Sequence, residues 1–269
     1  GAEATRLGSK KVWRVREMPS HGDAMAPESD PLAGRTVAVL LSTMRSGSTL
    51  LKALLAQAPD ISDLPETNFQ RFQGPDASAR LAALSPEPIL LLKRPGWFTD
   101  IGRYPRMPDV PRLKRVVLVR DAYANLLSVR KMMFRHVPWL LRSGLGNRFI
   151  VDRYWTGVNR RLLDLVNADA KHTILVRYED VLADPLSETA RLFLFLGSAQ
   201  KEGINTYGKP QGYDWTWGKD DGGTVIKSLQ VQAPRELTYD DRKLFAAIKN
   251  SATAQRLRQD LGFPALPVL

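Results

Sequence analysis

Five consecutive residues of the chain have the composition of a binding turn for a phosphate or sulfate group. Arg45, Ser46, Gly47, Ser48 and Thr49 follow an apolar run directly and precede an amphipathic stretch directly. The first backbone N–H groups of a helix have no partner within it, so a turn that opens a helix can bind an anion. Gly47 allows close approach of the backbone, while the hydroxyls and the guanidinium add hydrogen bonds and charge. The turn predicts an anion cradle; the alternative is a strand-to-helix turn in which Ser48 only caps the helix.

A second candidate anion contact involves Arg120 and Ser128. Arg120 closes an apolar run, and Ser128 lies eight residues later in a stretch of helical character. Eight residues are about two helical turns, so Ser128 lies on the same face of the helix as the residues at its start. A group held by Arg120 is then within reach of Ser128. Taken singly, the two residues would be a surface charge and a solvated hydroxyl.

Together these two segments resemble the nucleotide-binding motifs of sulfotransferases that use 3′-phosphoadenosine 5′-phosphosulfate (PAPS). In that family the sequence R-S-G-S/T-T follows the first strand and holds the 5′-phosphosulfate, which implies this role for Arg45–Thr49. An Arg at a later strand end and a Ser eight residues on hold the 3′-phosphate, which implies this role for Arg120 and Ser128. The turn is not a Walker loop, because Ser42 and Ser48 stand where that loop requires Gly and Lys.

The resemblance continues over residues 36–263, although only the two early motifs are specific. Tyr178 stands in a Y-E-D segment whose Tyr contacts the nucleotide in the family. Val225, Ile226 and Lys227 resemble the late loop of the protein-tyrosine sulfotransferases, which closes over the nucleotide. The resemblance therefore implies PAPS as co-substrate and 3′-phosphoadenosine 5′-phosphate (PAP) as product, with Tyr178 and Lys227 among the binding residues.

Sulfuryl transfer requires a cation near the leaving oxygen and a base for the acceptor hydroxyl. Arg45 and Lys93, which ends the run ILLLK, are the candidate cations, and no metal is expected because a sulfuryl group carries less charge than a phosphoryl dianion. Cytosolic sulfotransferases have a catalytic His where Pro95 stands here. The protein-tyrosine and bacterial polyketide types have a Glu 21 residues after the loop Arg, which implies Glu66 as the base. His136 is the alternative base or an acceptor-site residue.

Strands and helices that alternate along the chain would position these residues. Four apolar runs predict buried strands, at 36–42, 89–93, 115–120 and 173–177. Helical stretches follow them, at 48–58, 122–134, about 154–166 and 186–196. This alternation predicts a three-layer, P-loop-like α/β fold whose central parallel sheet binds ligands beyond the carboxyl ends of its strands. Residues 1–35, rich in Pro, Gly, Ser and charge, are expected to form an irregular N-terminal arm. The resemblance implies that residues 36–269 form a single sulfotransferase domain.

Composition limits the function classes. Thirty-nine Lys and Arg residues against 28 Asp and Glu give a net charge of +11, which favours an anionic partner. The absence of cysteine from the sequence excludes disulfides, thiolate zinc sites and a Cys nucleophile. The sequence has no apolar run long enough to span a bilayer, so we expect a cytoplasmic protein without a membrane partner, although the first residue is Gly1 and a removed targeting segment stays open.

The sequence leaves the acceptor open. The hydroxyl could belong to a small molecule, a glycan, an acyl chain on a carrier protein or a peptide tyrosine, and the charge favours an anionic one. The oligomeric state also stays open. One rival function is a kinase-like phosphoryl transferase, which the missing Walker Lys disfavours. The other is a basic nucleic-acid-binding module, which is disfavoured because the aromatic residues lie mostly beside apolar runs.

Overall fold

The computed structural model describes residues 30–134, 144–215 and 224–268, and a four-stranded parallel sheet lies at their centre. The strands are β1 (Thr36–Ser42), β2 (Ile89–Lys93), β3 (Leu113–Val119) and β4 (Thr173–Arg177). Their order is β2-β1-β3-β4, and each neighbouring pair is parallel. Nearly continuous Val, Ile and Leu suit these strands because helices cover both faces of the sheet.

Ten α-helices are found in the described residues. They are α1 (Ser48–Leu55), α2 (Ala77–Ala82), α3 (Ala122–Phe134), α4 (Gly144–Arg148), α5 (Gly157–Ala168), α6 (Tyr178–Ala183), α7 (Pro185–Leu196), α8 (Thr224–Lys227), α9 (Arg242–Lys249) and α10 (Ala252–Asp260). A π-helical stretch, Phe149–Thr156, joins α4 to α5, and short 3₁₀ helices span Phe69–Arg71 and Phe98–Asp100. Among these described elements, no helix combines the length and apolar character that crossing a bilayer requires.

Alternate side chains of the strands build two separate cores. Val37, Val39 and Leu41 of β1 belong to one core, which α3, α5, α9 and α10 cover and which we call the α3-side core. Ala38 and Leu40 point to the opposite face, where α1 and α7 form what we call the α1-side core. A strand directs successive side chains to opposite faces, so this division follows from the extended backbone. The predicted three-layer α/β fold is confirmed.

The sheet order creates a crevice at the carboxyl ends of the strands. The chain leaves β1 for β2 on one side and later crosses to β3 on the other side of β1. Loops that leave β1 and β3 therefore run in different directions and open a crevice between them, which is where parallel sheets of this kind bind ligands. Residues 43–47 and Arg120 follow these two strands.

Two helices have boundaries that differ from the sequence-based expectation. The helix expected to reach residue 58 ends at Leu55, because Pro59 disfavours helical geometry at the residue before it and cannot donate a helical hydrogen bond. The helix expected at about 154–166 is extended at its start by the π-helical stretch. Residues 1–29 of the predicted N-terminal arm lie outside the described residues, and Leu32, near its end, is buried in the α3-side core.

Candidate active site

A cavity of about 570 Å³ opens at the carboxyl ends of the central strands. It brings together side chains from the loop after β1, from the segment after α1, and from the ends or flanks of β2, β3 and β4. Nine of the residues predicted from sequence line it: Arg45, Gly47, Ser48, Thr49, Glu66, Lys93, Arg120, Ser128 and Tyr178. Residues chosen from widely separated motifs therefore share one cavity.

The loop between β1 and α1 has an unusual backbone. Gly47 has a φ of 92°, and Arg45, although it carries a side chain, has a φ of 64°. Left-handed conformations of non-glycine residues are uncommon and costly, and they are enriched at active sites and ligand-binding loops. The turn directs the first N–H groups of α1 toward the cavity that Ser48 and Thr49 line. This geometry is suited to cradling an anion.

Gly47 also lies against the ring of Tyr178. A Cβ atom added to Gly47 would stand 2.2 Å from Cδ2 and 2.3 Å from Cε2 of that ring, well inside van der Waals contact. The absence of a side chain at Gly47 therefore serves two purposes: it permits the left-handed turn and makes room for Tyr178.

Replacing Gly47 by Ala is expected to lower the free energy of unfolding by about 2–4 kcal/mol, since a backbone penalty adds to a steric one. Gly34→Ala is a matched control: Gly34 has a φ of 77°, but nothing lies within 4 Å of an added Cβ, so only the backbone penalty of about 1 kcal/mol applies. Urea unfolding of the two variants measures the difference. Equal losses in both would contradict the tight packing of Gly47 on Tyr178.

Ser46 differs from the other residues of the loop. Its side chain is fully buried: Oγ lies 2.7 Å from Oγ1 of Thr43 and accepts a hydrogen bond from Nδ2 of Asn125 at 3.1 Å. Asn125 also donates to the carbonyl of Met44 at 2.9 Å. The Ser46 hydroxyl thus fixes the loop onto α3 and does not line the cavity, so a ligand contact by Ser46 would have to use its main chain.

Arg45 joins the two predicted anion-binding segments. Its Nε donates to Oγ of Ser128 at 3.0 Å, and its carbonyl accepts a hydrogen bond from Nη1 of Arg120 at 3.0 Å. The guanidinium of Arg120 also lies over the ring of Tyr178, 4.6 Å from the ring centroid. Two guanidinium groups, a hydroxyl and an aromatic face therefore form one continuous surface, which suits a ligand with more than one anionic group.

A buried network that sequence reasoning missed holds Arg120 in place. Its neighbour Asp121 accepts hydrogen bonds from Nε and Nη2 of Arg258, at 3.0 and 2.8 Å, and the Arg258 side chain is 2% exposed. The N–H of Asp121 donates to Glu179 at 3.0 Å, and burial raises the pKa of the Glu179 carboxyl. Asp121 and Arg258 are 137 residues apart, so no local pattern indicates their pairing.

Lys93 and Glu66 form an ion pair inside the cavity. Nζ of Lys93 lies 2.9 Å from Oε2 of Glu66 and 3.1 Å from Oγ1 of Thr49, and the two charged side chains are 6% and 17% exposed. The segment that carries Glu66 runs along β2, where the N–H of Thr67 donates to the carbonyl of Lys93 at 3.1 Å. The two residues predicted as cation and base are therefore in contact beside the anion cradle.

A buried lysine next to this pair was not predicted. Lys52 of α1 is 4% exposed; its Nζ lies 2.5 Å from Oδ1 of Asp63, and it donates to the hydroxyl of Tyr213. Burial lowers the pKa of Lys52. The sequence carried a signal, because a single Lys within the apolar run LLKALL indicates a lysine close to the core, and a buried lysine requires a partner.

Two predicted residues fall outside this arrangement. Lys227 is exposed and does not line the cavity, whereas the preceding Ile226 does. His136 lies outside the described residues. Both assignments stay predictions.

Comparison with known proteins shows which fold the chain has. No protein-family model matches the chain, and no curated protein matches it by sequence. Among solved structures, it is similar to the sulfotransferase domain from the curacin biosynthetic pathway, with a TM-score of 0.52 and 21% identity over 87% of this chain and 99% of that domain. It is also similar to a sulfotransferase from Alicyclobacillus acidocaldarius, with a TM-score of 0.50 and 15% identity over 86% of this chain and 97% of that protein. The chain has the sulfotransferase fold, as its two early motifs indicated.

Proposed function

We propose that the chain is a sulfotransferase that transfers a sulfuryl group from PAPS to an acceptor hydroxyl and releases PAP. The observation that carries this proposal is the convergence of three features in one cavity: the anion cradle that opens α1, the Arg120 and Ser128 pair, and the ion pair of Lys93 and Glu66. The fold that this chain shares with sulfotransferases supports the same reaction class.

The donor has anionic groups at two positions of its ribose, and the cavity offers a basic site for each. In the proposal, the cradle of Gly47, Ser48 and Thr49 binds the 5′-phosphosulfate through backbone N–H groups and hydroxyls. Arg120 and Ser128 bind the 3′-phosphate. Arg45 belongs to the loop that forms the cradle and links it to the second site, since its side chain contacts Ser128 and its carbonyl contacts Arg120.

The ion pair of Lys93 and Glu66 supplies the groups that the transfer requires. The Glu66 carboxylate accepts the proton of the acceptor hydroxyl while the acceptor oxygen forms its bond to sulfur. The bond between sulfur and the bridging oxygen breaks, and its electron pair stays on the 5′-phosphate oxygen of PAP. Lys93, 3.1 Å from Thr49 of the cradle, is placed to stabilise the charge that develops on this oxygen. The proposal requires no metal ion.

Thermal unfolding with PAP tests this function directly. A ligand that binds only the native state stabilises it by about 2.7 kcal/mol at one hundred times its Kd, which is roughly 5–10 °C in Tm for a chain of this size. We expect this shift with PAP and a much smaller one with ATP and magnesium. A larger shift with ATP and magnesium would favour the kinase-like alternative. Salt-dependent binding of DNA or RNA that PAP does not displace would favour the nucleic-acid alternative.

A further inference from the structure

We infer that the acceptor is a small amphiphile, with its hydroxyl at Glu66, an apolar body along one wall of the cavity and a negatively charged group at Lys131. The inference rests on the proposed function and names its substrate class. It is carried by apolar side chains that line the same cavity as the pair of Lys93 and Glu66, which we call the apolar wall, and by the exposed Lys131, which also lines this cavity.

One face of α3 forms much of this wall. Five of its residues line the cavity, and their spacing of three or four places them on a single helical face: Ala124, Leu127, Ser128, Lys131 and Met132. Ser128, which the proposal assigns to the 3′-phosphate, lies in the middle of this face. Lys131 and Met132 lie about one turn beyond it, roughly 5–6 Å farther from Arg120. The far end of the face therefore extends past the donor site.

Another part of the apolar wall, Trp97, lies on a rigidly held segment. Trp97 follows Lys93 by four residues, on a segment whose Gly96 donates its N–H to the carbonyl of Ser42 at 2.8 Å. Tyr154 donates to the carbonyl of Gly96 at 2.8 Å, and the N–H of Trp97 donates to Asp100 at 2.8 Å. The indole thus lines the cavity on a backbone that hydrogen bonds fix on both sides.

The apolar lining of the cavity divides into two halves that belong to different cores. Tyr178, Tyr207 and Ile226 belong to the α1-side core or pack against it, and Arg120 lies over the Tyr178 ring. The donor base, tethered to the phosphates held by Arg120, is expected on this half. The other half belongs to the α3-side core or packs against it, and its half-buried members are Trp97, Leu127, Met132 and Leu237. In the proposal, this second half of the cavity binds the acceptor.

The exposure of this second half indicates an apolar occupant. Trp97, Leu127, Met132 and Leu237 are all half-buried, so each leaves apolar area open to the cavity. Covering such area removes it from water and stabilises a complex by about 25 cal/mol for each Å². Binding sites of this kind combine apolar walls with a few placed polar groups.

Charge fixes the orientation of the occupant. Lys131 lines the cavity, is exposed, and forms no ion pair within the part of the chain that the structure describes. A negative group of the acceptor is attracted to this ammonium and repelled by the Glu66 carboxylate. The hydroxyl end therefore lies at Glu66 and the anionic end at Lys131, with the apolar body between them.

Two probes of the same chain length, which differ in one terminal group, test the inference: one ends in a carboxylate and the other in a neutral hydroxymethyl group. We would measure by calorimetry the binding of 8-hydroxyoctanoate and of 1,8-octanediol to the chain saturated with PAP. The wild-type chain is expected to bind the acid about two- to fivefold more tightly, which is the range of a solvent-exposed ion pair. Lys131→Met should remove this preference, whereas Lys243→Met, an exposed lysine of α9 that does not line the cavity, should retain it.

The apolar wall is tested separately. Trp97→Ala should weaken the binding of both probes by roughly 10- to 100-fold without changing the preference between them. Met132→Ala serves the same purpose if the Trp97 variant does not fold, and stabilisation by PAP checks the fold of each variant.

Equal binding of the two probes by the wild type, or a preference that survives Lys131→Met, would overturn the inference. If PAP stabilises the chain in those cases, the proposed function stands and only the acceptor class fails; if PAP does not stabilise it, both fail.

Discussion

Replacing Glu66 by Gln is expected to lower turnover by about 10²- to 10⁴-fold and to leave the affinity for PAP nearly unchanged. Gln has nearly the same size as Glu, and its amide oxygen can still accept the hydrogen bond from Lys93, which lies 2.9 Å from the carboxylate. It cannot accept the proton of the acceptor hydroxyl. The loss should therefore fall on the chemical step, measured as transfer of labelled sulfate from PAPS to an acceptor found in a screen of hydroxyl compounds.

A second carboxylate controls for the change of charge. Glu236 is exposed and does not line the cavity, so Glu236→Gln should keep wild-type turnover. Unchanged turnover in Glu66→Gln would remove Glu66 from the mechanism. A loss of PAP affinity as large as the loss of turnover would instead assign Glu66 to donor binding.

Replacing Arg120 by Ala is expected to weaken PAP binding by about 30- to 1,000-fold, the cost of truncating one partner of a close charge pair. Arg120 is part of the cavity wall, contacts the carbonyl of Arg45 and lies over Tyr178, so its removal takes away both a charge and a support for the loop. Calorimetric titration with PAP measures the change.

Two further variants show whether the charge of Arg120 is responsible. Arg112 is exposed and does not line the cavity, so Arg112→Ala removes one positive charge without touching the site and should bind PAP normally. Arg120→Lys keeps the charge but loses the planar fork of donors, so its affinity should be intermediate. Wild-type affinity in Arg120→Ala would contradict the phosphate contact.

The sequence predicted the sheet well because its strands are covered on both faces. Residues 36–42, 89–93 and 173–177 are strands with the expected bounds, and the third strand is displaced by one or two residues at each end, as Leu113–Val119. Continuous apolar runs leave little ambiguity when turns bound them. The start of α7 at Pro185 also carries a local signal, since Asp184 caps the helix by accepting the N–H of Ser187 at 3.0 Å.

Neither C-terminal helix was predicted, and in α10 the apolar residues are few. Only Ala254, Leu257 and Arg258 of α10 are buried, and the last of these is charged. A buried Arg is stable there because Asp121 pairs with it, and that pairing depends on tertiary contacts which a local pattern does not reveal.

The candidate site was predicted where spacing within one element sets the geometry. The loop after β1 and the eight-residue interval from Arg120 to Ser128 are both local, and both reach the cavity. Spacing along the sequence does not determine the direction of a side chain within a tight loop. The burial of the Ser46 side chain against Asn125 of α3 could therefore not be predicted. The joining of the two motifs through Arg45 likewise depends on a hydrogen bond between residues 83 apart.

The central claim is that two basic sites of one cavity hold the two phosphate positions of a single nucleotide. Calorimetric titration of the wild type and of Arg120→Ala, each with PAP and with 5′-AMP, tests it most directly because the two ligands differ only in the 3′-phosphate. The account predicts a strong preference of the wild type for PAP that largely disappears in Arg120→Ala. An undiminished preference for PAP in the Arg120 variant would contradict the account.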